Sequence, residues 1–161
     1  MWPKLIDLLT QLNKAYDMLH QLGQQKRGAL IVIDMQQVEE LNAKEGQLTT
    51  AISRLEQQRQ ALLLQMLAEN DDLKPDMQAR DMIGHCPGTW RSSLASQYEA
   101  LTKKVAEVQA LSADNRVLVQ AALQAVHYHL NRIGGTSVEP AYDQGGTEQG
   151  TQGHRNLDFQ A

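Results

Sequence analysis

Apolar residues along this chain fall into three long frames with helical spacing. In the first, Leu5, Leu9, Leu12, Tyr16 and Leu19 step by four and three, and Leu30 and Ile33 rejoin the frame after a gap. Leu8, Ala15, Leu22 and Ala29 widen the stripe, so the pattern predicts an amphipathic helix over residues 3–31. Pro3 suits a first helical turn, where its missing N–H costs nothing. Gly23 and Gly28 read as weak points in that helix, each costing up to about 1 kcal/mol against Ala.

The second frame is the most regular: Val38, Leu41, Glu45, Leu48, Ile52, Leu55, Arg59, Leu62 and Met66 alternate steps of three and four. That is a heptad seam, and it predicts a helix over 34–69. Asp34 reads as its N-cap, with Gln37 three residues on completing a capping-box pattern. The join between the two helices is very short, which predicts an antiparallel hairpin turning near Ile33 and Asp34.

A connector follows, in which Pro75 opens a candidate short helix over 75–84 and Pro87-Gly88 signals a turn. Thr89 reads as the N-cap of a third long helix over 89–133. Its seam runs Leu94, Tyr98, Leu101, Val105, Val108, Leu111, Asn115, Leu118, Ala122 and Ala125, with a candidate break near Ser112 and a Gly134-Gly135 stop. Past Asn115 a second apolar line appears: Val119, Leu123, Val126, Leu130 and Ile133. One bundle contact cannot cover both lines, which makes the second a candidate binding face for a partner's amphipathic helix. The bland alternative is that it packs inside the bundle or under the connector.

The expectation is therefore an all-α fold: a long antiparallel hairpin plus a third long helix, forming an elongated bundle over 1–135. Residues 136–161, rich in Gly, Gln and Thr, are expected to be a flexible tail that cannot bury enough surface to offset chain entropy. Tyr142 and the Leu157/Phe159 pair are isolated apolar points there, and Tyr142 is a candidate contact residue.

Composition sharpens this picture. Only 4% of the 161 residues are aromatic, too few for a sheet protein of ordinary make-up. The net charge of -4 argues against nucleic acid or an anionic membrane as partner. No run approaches the roughly 20 apolar residues of a membrane span, and Asp7, Gln11 and Lys14 interrupt any signal-peptide block. The single cysteine, Cys86, cannot form an internal disulfide, in keeping with a reducing, cytoplasmic setting.

Candidate chemistry is thin. His127 and His129 are two apart, not the four that puts two zinc ligands on one helical face. His85-Cys86 are adjacent, a spacing that rarely orients a nucleophile and its base, so Cys86 reads as a loop cysteine. No serine-hydrolase elbow, phosphate loop or dinucleotide fingerprint is present. No metal, cofactor or catalytic residue is expected, and the chain reads as a binding protein rather than an enzyme. His20 is a poor match to the histidine of helical phosphotransfer domains, because its nearest following lysine, Lys26, is displaced from their pattern. Lys26 and Glu45 are polar groups within apolar frames. They either pair across the hairpin and fix its register, or snorkel to solvent from its rim.

Leu8-Leu9, Leu12, Leu19, Lys26, Leu30, Asp34, Leu41, Glu45, Leu48, Leu55, Arg59 and Leu62 together resemble the pattern of the FlgN-type flagellar export chaperones. Asn115-Arg-Val-Leu-Val is similar to the family's Asn followed by aliphatics. Ala141-Tyr142-Asp143-Gln144-Gly145 and the final Leu157-Asp-Phe159-Gln-Ala161 resemble its tail. The resemblance implies a cytoplasmic chaperone for the hook-filament junction proteins FlgK and FlgL (the hook-associated proteins). It also implies their delivery to the flagellar type III export gate and a client site in the C-terminal half. Two rival readings are a coiled-coil oligomeric component without a client, such as a homodimer, and a histidine phosphotransfer bundle.

Overall fold

In a computed structural model, residues 1–70, 72–74, 77 and 79–134 are described. All regular structure among them is helical: α1 (Trp2–Ile31), α2 (Met35–Glu69), α3 (Ala79–His85) and α4 (Gly88–Gly134). The fold is all-α, as the three apolar frames predict. By its contacts the chain divides into two compact units, Met1–Gln124 and Ala125–Ala161, and the second contains the last turns of α4.

The α1–α2 turn has a defined chemistry. Asp34 caps α2, its carboxylate accepting from the Gln37 amide at 3.0 Å. The Asp34 amide donates to the Ala29 carbonyl at 2.9 Å, and the Ile33 amide to the Leu30 carbonyl at 3.2 Å. These two bonds are the six-to-one and five-to-two pair of a Schellman stop, which requires a left-handed residue between them. That residue is Ile33, at φ 56°. A β-branched side chain there costs on the order of 1–2 kcal/mol where glycine costs nothing. Ile33, whose spacing continues the first apolar frame, lies in the turn beyond the last helical residue, where the short join puts it.

Within the first unit α1 and α2 run antiparallel, and α4 runs parallel to α1. Three groups of buried side chains mark the way. At the end away from the turn, Leu5 and Leu9 of α1 meet Leu62 and Met66 of α2 and Leu94 of α4. Midway, Leu12 and Ala15 meet Ile52. By the turn, Ala29 and Leu30 meet Val38 and Leu41, with Leu118 and Val119 of α4 packed against them. Full burial of a leucine stabilises by roughly 1.5–3 kcal/mol, so these groups supply most of the hairpin's stability.

The connector is part of the core. Leu73, Met82 and Cys86 are buried in the same group as Leu5, Leu9 and Leu94. Cys86 is thus not an open-loop cysteine: it is 0% exposed. Burial pushes its thiol above the usual range, with Arg91 opposing weakly. Arg91 holds the segment closed from the first turn of α4, donating to the carbonyls of Gly84 and Cys86 at 3.0 Å each. The short helix α3 starts later than the Pro75 signal suggests; Pro75 itself lies outside the described residues. Thr89 is not the N-cap of α4. The Pro87 carbonyl accepts from Trp90 and Arg91 and begins the helix one residue before Thr89. No break occurs at Ser112, because α4 is helical throughout.

Candidate functional site

The seam of α4 faces the hairpin, and its grip is largely polar. Asn13, 5% exposed, donates through Nδ2 to the Gln97 side-chain oxygen at 2.8 Å and to the Gln97 carbonyl at 3.1 Å. Lys104 pairs with Asp17, and Arg27 with Asp114 at 3.0 Å. Further on, Asn115 is 3% exposed and donates to the Gly23 carbonyl at 2.8 Å. That bond needs the two backbones close together, and Gly23 provides the room. A Cβ at this position would sit 2.9 Å from Leu111 Cδ2 and 3.3 Å from its Cγ. Gly23 is thus a close-approach residue. Propensity alone had marked it as a weak point.

Lys26 and Glu45 come together across the hairpin, Nζ to Oε2 at 2.6 Å, with side chains 16% and 22% exposed. Arg59, the other polar member of the α2 seam, pairs with Glu56 at 2.7 Å. This pair lies between two tyrosines. Burial raises the Tyr98 hydroxyl above its usual range, with Arg59 opposing and Glu56 adding to the rise. Tyr16 is raised in the same way by burial and by Glu56.

The second apolar line of α4 has a graded exposure. Val119 is half-buried against the group formed by Ala29, Leu30, Val38 and Leu41. Leu123, still in the first unit, is 46% exposed. In the second unit Val126 is half-buried, while Leu130 is 58% and Ile133 85% exposed. Tyr128, beside them in sequence, is 60% exposed, and the Arg132 guanidinium lies 5.9 Å from its ring centre. Tyr142, Leu157 and Phe159 lie outside the described residues.

One apolar feature escaped the reading of the sequence. Ile31, Val32, Ile33 and Met35 at the hairpin turn are 63%, 72%, 42% and 39% exposed. The signal was there: four consecutive apolar residues, Leu30 to Ile33, run up to an N-cap where a glycine would ordinarily stand.

Among the described residues no three His, Cys, Asp or Glu side chains are grouped to hold a metal. His127 and His129 are exposed and His20 is half-buried. No described helix is long and apolar enough to cross a membrane.

The model of the FlgN protein family matches residues 1–150. The chain belongs to the FlgN family. Its members are flagellar export chaperones, which accords with a helical scaffold carrying exposed apolar side chains. No curated protein and no solved structure matches the chain significantly.

Proposed function

We propose that this FlgN-family protein is a cytoplasmic export chaperone. It holds the C-terminal helical segment of a hook-filament junction protein and brings it to the flagellar type III export gate. The client lies along Val119, Leu123, Val126, Leu130 and Ile133 of α4. The observation carrying this reading is the exposure of Leu123, Leu130 and Ile133 at 46%, 58% and 85%. They stand at three- and four-residue steps, the spacing by which amphipathic helices read one another. Covering the client's apolar face blocks its premature assembly. Lys26 and Glu45, paired within the hairpin, fix the register of the scaffold that presents α4.

Calorimetric titration tests this, using the C-terminal segments of the organism's own hook-filament junction proteins against wild type and the Leu123→Ala/Leu130→Ala variant. Each true anchor should contribute about 2 kcal/mol, roughly thirtyfold in affinity. The melting temperature should fall far less than for a core truncation, which costs roughly 2–5 kcal/mol. Unchanged affinity for both segments would refute the site. A collapsed melt would show that Leu123 and Leu130 belong to the core.

A further inference from the structure

We infer that the α1–α2 turn, Ile31 to Met35, is a second contact surface for the part of the client helix that lies on Val119 and Leu123, and receives an end of it that carries lysine or arginine. This rests on the client reading above.

Three observations converge on the turn. The first is apolar exposure: Val32 is 72% and Ile31 63% exposed, with Ile33 and Met35 beside them. A run of exposed apolar residues at a tight turn contributes little to folding and is an aggregation hazard unless something covers it. The second is strain. Ile33 holds a left-handed backbone at φ 56°. Glycine would satisfy the same Schellman bonds without penalty, so a fold selected for stability alone would not place isoleucine there. The isoleucine side chain must act outside the fold. The third is charge. Asp34, Glu39 and Glu40 flank the turn and are exposed. Lys26 and Arg27, the cations just before it in α1, are already bound to Glu45 and Asp114. An apolar tip with an acidic flank favours an apolar segment with basic residues at its end.

The turn is also continuous with the proposed client line. Val119, the first residue of that line, packs against the group formed by Ala29, Leu30, Val38 and Leu41, whose members lie on both sides of the turn. Leu123 follows one helical turn later and is 46% exposed. A client helix seated on Leu123 therefore has Ile31–Met35 at hand as a further apolar support.

The test titrates the client C-terminal segments, as synthetic peptides, into full-length wild type and into Val32→Ser, Ile33→Gly and Glu39→Gln/Glu40→Gln, each with a thermal melt. Val32→Ser should weaken binding roughly tenfold at an unchanged melting temperature. Ile33→Gly carries the distinguishing signature: it should raise the melting temperature and weaken binding together. The acidic double variant should lower affinity at low salt and flatten its salt dependence. If the Val32 and Ile33 variants bind like wild type while Leu123→Ala/Leu130→Ala does not, the turn has no part and the groove on α4 stands alone. If the α4 variant also binds like wild type, both readings fall. If only the acidic variant is silent, the basic end assigned to the client is wrong.

Discussion

Alanine at Gly23 and at Gly28 should have opposite effects, although the two glycines lie five residues apart in the same helix. Both are interior to α1, so each replacement gains about 0.8–1.0 kcal/mol of helix propensity. At Gly28 nothing stands within 4 Å of the new methyl, and the gain should appear in full. At Gly23 the methyl would lie 2.9 Å from Leu111 Cδ2 and 3.3 Å from Cγ. Rotating Leu111 relieves the first contact more easily than the second, so α4 must also give a little. Overpacking of this kind costs about 1–3 kcal/mol. Weakening the Asn115 bond to the Gly23 carbonyl adds up to about 1 kcal/mol. Gly23→Ala should therefore destabilise by up to about 3 kcal/mol, leaving the two variants about 1–4 kcal/mol apart. Urea titration with unchanged slope reads this difference directly. Adding Leu111→Ala should cancel most of the Gly23→Ala penalty in a double-mutant cycle. If Gly23→Ala stabilises the protein as much as Gly28→Ala, α4 does not approach α1 as described, and the role given to Gly23 is wrong.

Other perturbations test other joints. Asp34→Ala should cost about 1 kcal/mol by removing the cap on the Gln37 amide, and a melt unchanged from wild type would contradict that cap. Lys26→Met should destabilise by about 2 kcal/mol, because Glu45 is left in a site only 22% exposed. Lys26→Met/Glu45→Leu should recover most of the loss; additive effects in denaturant titrations would mean that the two groups are not coupled. On the alkaline side, Cys86, Tyr16 and Tyr98 all have native pKa values raised by burial, above 9.0 for the thiol and 10.0 for the phenols. The unfolded chain loses these protons first, so their contribution is full below pH 9.0 and is lost as pH rises through the native values. Denaturation midpoints measured from pH 8 upward should fall, and Cys86→Ala should remove the earliest part of the decline. Native Cys86 should also resist alkylation at neutral pH until the protein is unfolded.

Large apolar residues at regular steps made the helices and their directions legible. The α2 seam is the clearest case: Val38, Leu41, Ile52, Leu62 and Met66 are all buried. Asp34 was legible because capping is local chemistry, decided within four residues. Cys86 was not, because its burial depends on the connector folding back over Leu5, Leu9 and Leu94, a contact between segments far apart in sequence. The turn at Ile33 was legible from the short join, but the exposure of its side chain was not: its spacing continues the α1 frame, the helix has ended one residue before Val32, and periodicity carries no information past a helix end.

Beside the turn the same limitation takes a more specific form. There the chain buries some apolar residues and exposes others of equal size: Ala29 and Leu30 are each 2% and Ala122 4% exposed, whereas Ile31 is 63% and Leu123 46%. A reading weighted by hydrophobicity assigns the large residues to the core. Yet where α1 and α4 approach closely, at Gly23 and Asn115, there is no room for a larger side chain than glycine's beside Leu111. Leu123 and Ile31 lie further along the same two helices and are exposed. On the proposed reading, the client surface then depends on how α4 packs against the hairpin. Enlarging the small residues should disturb the client contacts before it unfolds the hairpin: Ala122→Leu should weaken client binding by displacing α4, while the α1–α2 amides keep their protection from exchange. Protection lost equally from all three long helices would show instead that α4 and the hairpin fold as one inseparable core, and would remove the physical basis for a client surface that depends on that packing.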